Sequence, residues 1–332
     1  MKKVVTLGEI LLRLSTSKYE RFVQSNSVDI TYGGSEANVA ASLSNYELES
    51  IFLSKVPDNS IGQAGINHLR RYGINTSFIV KGGNRLGIYF LEPGSSVRAS
   101  QIIYDRESSS MTDFSIDEFD IDAALEGAHW FHTSGVTAAL GEKAVALTEA
   151  ILKAAKAKGI TTSLDINYRE KLWTKEKAAD ILSRLCQYVD VCIGADTNLG
   201  IYPSKKNIIE GTITVEGFKE LFLLLKERFG FKFIATTLSE SHSASDSSFS
   251  ALVYDGLEFY ITKRYDVRII DKVGVGDSFA SGLIYGLVSG MSTKDAGEFA
   301  AAAGVIKHTI PGDFNHVTLS EVLDLVESDG VC

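Results

Sequence analysis

Apolar residues dominate Val4 to Leu14, with Glu9 and Arg13 as interruptions, and this first run reads as a buried strand. The pattern changes after Gly33-Gly34. Ser35-Glu36-Ala37-Asn38-Val39-Ala40-Ala41-Ser42-Leu43 is rich in helix formers, and Ser35 is placed to cap its start. Glu142 to Lys158 carries apolar residues at spacings near 3.6 and stops at Gly159, after which Ile160 to Ile166 alternates toward β. The same helix-then-strand order recurs at Ile181 to Leu185 with Val189 to Ile193, and at Phe218 to Arg228 with Phe231 to Thr237. Repeated alternation predicts an α/β fold whose mostly parallel sheet carries helices on both faces.

Two stretches break this rhythm, Arg21 to Tyr32 and Leu86 to Arg106, the second with β-rich pieces at Gly87–Leu91 and Gln101–Tyr104. They predict antiparallel strands that meet as a small sheet projecting from the main layer, either a lid over a substrate or an ordinary edge hairpin. Thr236 to Ser250 holds seven Ser and two Thr, yet it lies between a buried strand and the strand Ala251–Tyr254. That position predicts a long functional loop rather than a linker.

Composition narrows the classes of partner. Lys and Arg total 33 against 42 Asp and Glu in 332 residues, a net charge of −9, which disfavours nucleic acid as a partner. Cys186, Cys192 and Cys332 are an odd number without CxxC spacing, so a cytoplasmic location is expected. No run of about 18 apolar residues occurs, and no membrane association is expected.

Asp271-Lys272-Val273-Gly274-Val275-Gly276-Asp277-Ser278-Phe279 precedes apolar residues at Leu283, Ile284, Leu287, Val288 and Met291, whose spacing predicts a helix beginning near Asp277. Two glycines before a helix start let bare amides converge where the helix dipole adds positive charge, which makes an anion hole. A carboxylate is a poor neighbour for a bound anion unless it takes a proton from an attacking hydroxyl, so Asp277 reads as a base. The simpler alternative is that Gly274 and Gly276 only form a turn and Asp277 only caps the helix. In an open α/β sheet the strand C-termini face one crevice. Gly33-Gly34 with Asn38 and the strand end Asp165-Ile166-Asn167-Tyr168-Arg169 are therefore expected to converge there.

The chain resembles the ribokinase or PfkB carbohydrate kinases. Gly33-Gly34 with Asn38 matches their N-terminal signature and Asp271 to Asp277 their C-terminal one. Within that family it is most similar to the branch acting on 2-keto-3-deoxygluconate, through Gly87-Ile88-Tyr89, Tyr104-Asp105-Arg106, His132-Thr133-Ser134-Gly135, Asp165 to Arg169 with Leu172-Trp173, and Pro311-Gly312-Asp313. The resemblance implies one ribokinase-like domain over 1–332, a three-layer sandwich with an antiparallel β lid from about 15–33 and 85–108. It implies Asp277 as base, with the Gly274, Val275, Gly276 and Asp277 amides stabilising the transferred phosphoryl group. Gly34, Asn38, Tyr89, Tyr104, Arg106, Arg169 and Asp313 would hold a sugar acid. Asn167, Arg169, Thr237, Ser239, Gly274 and Gly276 would bind ATP, with Mg²⁺ bridging its phosphates. A homodimer through the lid is expected, because exposed lid strands have unpaired edges.

An acid substrate also has a physical rationale. Arg106 from the lid and Arg169 from a sheet terminus would form a two-sided carboxylate clamp if both face the crevice. Departures from the family pattern are Lys272, Val275 and, where it commonly has NxxE, Ala195-Asp196-Thr197-Asn198. The Ala195 to Asn198 segment keeps a non-catalytic sugar-acid sensor in view; the other rival is a kinase of the same fold acting on a neutral sugar or nucleoside such as ribose or fructose. Ala300 to Ala303 reads as close helix packing near the adenine or as plain core. His129 and His132 lack metal-site geometry, and no metal-ligating protein residues are expected. The chain has no GxxxxGKS/T, and no GxGxxG follows the first strand.

Overall fold

A computed structural model describes residues 1–209 and 212–328, so Cys332 lies outside the described residues. In chain order the first strands are β1 (Lys3–Leu7), β2 (Leu11–Ser15), β3 (Asp29–Gly33), β4 (Glu49–Val56), β5 (Ile79–Lys81), β6 (Gly87–Glu92) and β7 (Gln101–Asp105). They are followed by β8 (Trp130–Ser134), β9 (Thr161–Asp165), β10 (Val191–Ile193) and the short pair β11 (Ile208–Ile209) and β12 (Thr212–Ile213). The last are β13 (Phe233–Ser241), β14 (Asp246–Tyr254), β15 (Phe259–Ile261) and β16 (Tyr265–Arg268). The large sheet runs β15-β14-β13-β10-β9-β8-β1-β4-β5, with β16 also on β14; it is parallel from β13 to β5 and antiparallel beyond β13.

Alternate strand residues face opposite helix layers. Val5, Leu7 and Leu164 pack with Leu147, Ile151, Leu182 and Phe222 from the helices Glu142–Ala157, Lys175–Cys186 and Val215–Phe229. Val4, Val191 and Ala235 pack with Phe279, Leu283 and Ala300 from the helices Val275–Val288 and Thr293–Lys307. Burial of both faces explains why these strands read as continuous apolar runs. Ala300 to Ala303 are fully buried; a Cβ on Gly282 would lie 2.7 Å from the Ala300 Cα, so this run is helix-packing core.

Three expectations need correction. The first apolar run makes two strands, because the chain turns out of the main sheet at Gly8-Glu9-Ile10; β1 pairs centrally with β4 and β8, whereas β2 enters the small sheet. The small sheet, β3-β2-β6-β7, is antiparallel at both outer pairs, as expected, with one parallel pairing between β2 and β6. Within Arg21 to Tyr32 only Asp29 onward is strand. Thr236 to Ser250 is a hairpin and not a loop, its ladder running from Thr236↔Leu252 to Ser241↔Ser247 around a short turn. Its Ser residues look like loop composition but satisfy strand pairing, and Ser247 and Ser248 are buried.

Candidate active site

The carboxyl ends of β9, β10 and β13, the inner face of the small sheet and the Gly274 turn enclose one crevice of about 1580 Å³. Gly274 itself precedes the helix Val275–Val288 in left-handed backbone, φ 82°, and a Cβ there would meet the Asp313 carbonyl oxygen at 2.2 Å. Only glycine fits. Nothing lies within 4 Å of where a Cβ on Gly276 would be, so the turn opens onto the crevice. The first helical amides have no intrahelical acceptor and carry the positive end of the dipole.

Asp277 does not cap this helix: its cap is Gly274, with no side-chain bond. The Asp277 carboxylate accepts from Ser35 Oγ and from Asn38 Nδ2, both at 2.7 Å, and is 9% exposed. Burial raises its pKa; the Asn38 and Ser35 bonds and the Arg169 charge oppose the rise. Ser35 likewise is the first helical residue rather than the cap of Ser35–Asn45, which frees its hydroxyl for Asp277. Gly34 caps that helix, and a Cβ there would come 2.0 Å from the Glu9 carbonyl oxygen.

Behind Asp277 lie two further buried carboxyls. Asp165 ends β9; burial first, then Asp277, pushes its pKa up to about 8. Glu36 accepts from the Ser134 amide, the Ser134 hydroxyl and the Thr137 hydroxyl at 2.6–2.8 Å, and burial lifts its pKa to about 7. Asn167 Nδ2 joins the groups by donating to Ser35 Oγ at 3.2 Å and Asp165 Oδ2 at 3.4 Å.

The small sheet presents a row of polar residues because β2, β6 and β7 alternate in step: Arg13 pairs in register with Tyr89, and Tyr89 with Tyr104. Arg13 donates to Asp313 Oδ1 at 3.0 Å and Asp271 Oδ2 at 2.7 Å, while the Tyr89 hydroxyl donates to Asp313 at 2.6–2.7 Å. Burial opposes the Arg13 charge, but Asp271, Tyr89 and Asp313 outweigh it and its pKa is raised. Asp313 is thus engaged by two lid residues. Arg106 is 9% exposed and paired with Glu9 at 2.5 and 3.0 Å, its guanidinium 5.8 Å from the Tyr104 ring centroid. Arg169 is exposed, makes no side-chain ion pair among the described residues and lines the crevice. The two arginines line the same crevice, though Arg106 arrives already paired.

On the other wall stand Asn167, Thr237 and Asp196. Asp196 accepts from the Asn198 amide at 2.7 Å and from Asn198 Nδ2 at 2.5 Å, and burial raises its pKa. Ser239 is exposed and bonds Ser247 at 3.3 Å; Ser241, His242 and Ser243 line the crevice in its place. His132 is core, its Nδ1 2.8 Å from Ser163 Oγ. Sequence reasoning missed Glu9, Arg13, Ser35, Glu36, Asp165 and Asp271 as site residues. Glu9 and Arg13 had left a signal, since both interrupt an apolar strand pattern.

A buried carboxylate beside an amide-lined helix start, at the strand C-termini of an α/β sheet, is an arrangement suited to phosphoryl transfer. The chain belongs to the pfkB family carbohydrate kinases, whose pattern matches residues 1–316, and it is a sugar kinase. It is 31% identical over 321 residues to the 2-dehydro-3-deoxygalactonokinase of Haloferax volcanii, covering 96% of this chain and 95% of that one. The crystal structure of 2-dehydro-3-deoxygluconokinase from Thermotoga maritima aligns with a TM-score of 0.94 at 42% identity, over 99% of this chain and all of that one. An Escherichia coli protein of the ribokinase class, solved in complex with ATP and Mg²⁺, shares the fold at 20% identity and TM-score 0.80, covering 98% and 99% of the two chains.

Proposed function

We propose that this kinase transfers the γ-phosphoryl group of ATP to the 6-hydroxyl of 2-keto-3-deoxygluconate. The observation that carries the reading is Asp277, held by Ser35 and Asn38 at the mouth of the Gly274 turn. Its two hydrogen bonds fix the carboxylate's orientation, and burial raises its affinity for the proton that the hydroxyl gives up. The Gly274, Val275, Gly276 and Asp277 segment receives charge on the moving phosphoryl group; in a loose transition state such positioning outweighs base strength. Gly34, Asn38, Tyr89, Tyr104, Arg106 and Arg169 hold the sugar acid, with Arg169 as the uncommitted cation for its carboxylate. Asp313 serves from behind, fixing Arg13 and Tyr89.

ATP lies along Asn167, Arg169, Thr237 and the glycine turn, with Ser239 at the outer edge of its hairpin. Mg²⁺ supplies charge neutralisation on the phosphates, and the residues that would hold it are Asp196 and Asn198. One crevice-facing carboxylate fits an ion that keeps several waters and takes its other oxygens from phosphate. Among the described residues no helix is long and apolar enough to cross a membrane, and we place this single-domain enzyme in the cytoplasm. It would be a dimer through lid strands whose Ile30 and Ile103 are 63% and 57% exposed; a monomer by light scattering at micromolar concentration would contradict that assembly.

The functional reading is tested by ATP consumption over a panel of 2-keto-3-deoxygluconate, its galactonate stereoisomer, ribose, fructose and adenosine. A kcat/KM favouring the keto acids supports it, and preference for a neutral acceptor overturns it. The Haloferax relative makes the galactonate stereoisomer the second reading.

A further inference from the structure

Lys307 is the last residue of the helix Thr293–Lys307 and has no exposed surface. A lysine at a helix C-terminus ordinarily complements the dipole while its ammonium reaches water along a flexible stem. This one turns inward. Its Nζ donates to the Ile310 carbonyl at 2.8 Å, and its Cε would lie 3.4 Å from a Cβ built on Gly274. The stem therefore packs beneath the glycine turn, and the ammonium faces the loop leading to Asp313, whose carbonyl meets Gly274 from the other side.

Burying an ammonium is costly, so a charge must answer it. Burial lowers the Lys307 pKa; Asp271, Asp313 and Asp277, which face it, oppose that fall and favour its protonated form, Arg13 adds to the fall, and none of the carboxylates makes a direct ion pair with it. Arg13 alone against three carboxylates leaves this corner at −2, and protonated Lys307 brings it to −1. A turn that receives a transferring phosphoryl group gains from that change, since each uncompensated carboxylate repels the incoming charge.

We infer that Lys307 is a positioning residue for phosphoryl transfer: its buried ammonium offsets the carboxylates behind the Gly274 turn and props that turn in its anion-receiving shape. The inference rests on the kinase reading above. It extends that reading to a residue outside the crevice wall.

The test is steady-state kinetics of Lys307→Met, which keeps the stem and removes the charge, with Mg-ATP and 2-keto-3-deoxygluconate. The expected result is a loss of roughly 100-fold in kcat, the scale of one lost donor at a developing anion. A positive neighbour favours ionised Asp277, so the acid limb of the pH–kcat profile should also move to higher pH. The other groups acting on Asp277, namely Arg169, Asp313, Glu36 and Asp165, are unchanged in the variant. Lys307→Ala should regain activity with added ethylamine and not with propanol. Should Lys307→Met not fold, that amine rescue decides alone. Wild-type kcat with an unmoved acid limb, or no amine rescue, overturns the inference. If Asp277→Asn is itself fully active, it is the kinase reading that fails.

Discussion

The two walls of the crevice are built on different principles. On the lid side the charges are buried and already paired: Arg13 with Asp271 and Asp313, Arg106 with Glu9, Tyr89 with Asp313. On the opposite wall exposed Arg169, the crevice-facing part of the Ser-rich hairpin and the amides of the glycine turn surround the buried Asp277 that Ser35 and Asn38 hold. Paired buried charges fix a shape, because each partner is costly to leave alone. Exposed groups and amides can take up a ligand without first surrendering a partner. The small-sheet wall is thus a preset frame, and on the reading proposed above chemistry and charge capture belong to the other wall.

The largest expected effect comes from disabling the chemistry while leaving the frame. Asp277→Asn keeps both neighbours and removes the base, so kcat should fall roughly 10³-fold with keto-acid affinity, read by calorimetry, little changed. Breaking the frame should show in stability instead. Arg13→Met leaves Asp271 and Asp313 without their shared cation and should cost about 3–5 kcal/mol in denaturant unfolding. A variant as stable as the parent would mean that the lid is not locked by this network.

Arg169→Ala sharpens the contrast from the open side. It should lower kcat/KM for the keto acid by about 10- to 100-fold, the worth of one charge-assisted hydrogen bond, and leave the melting temperature unchanged. Equal losses with a neutral sugar would remove its carboxylate role.

The remaining expected effect is a pH dependence of stability. Glu36 rises from the ordinary 4.5 to about 7, and Asp165 from 3.8 to about 8, in the folded protein. Between the ordinary and raised values the folded state holds more protons than the unfolded chain. Their contribution is therefore complete below about pH 4 and is lost as pH rises to about 8. The melting temperature should decline over the upper part of that range, and Asp165→Asn should flatten the decline.

Much of this architecture was legible because it is periodic. Helices with apolar residues at 3.6 spacing and strands buried on both faces announce an α/β sheet, and two glycines before Asp277 announce the turn that starts the helix Val275–Val288. The break at Gly8 to Ile10 was not legible, since both strands it separates have apolar faces. Nor was the parallel pairing of β2 with β6, which joins segments about 75 residues apart and is set by tertiary contact. Arg13 finds its partners 258 and 300 positions away, and Ser35 finds Asp277 at 242, so no local pattern could pair them. The Ser-rich segment misled because its place between two strands was read as a loop, when the strands themselves extend through it and pair.

The central claim is geometric, and a crystal structure with 2-keto-3-deoxygluconate and a non-hydrolysable ATP analogue tests it most directly. The account predicts the 6-hydroxyl within about 2.6–3.2 Å of an Asp277 carboxylate oxygen and the γ-phosphate against the Gly276 and Asp277 amides. A γ-phosphate seated away from that turn, or an acceptor hydroxyl out of reach of Asp277, would contradict it.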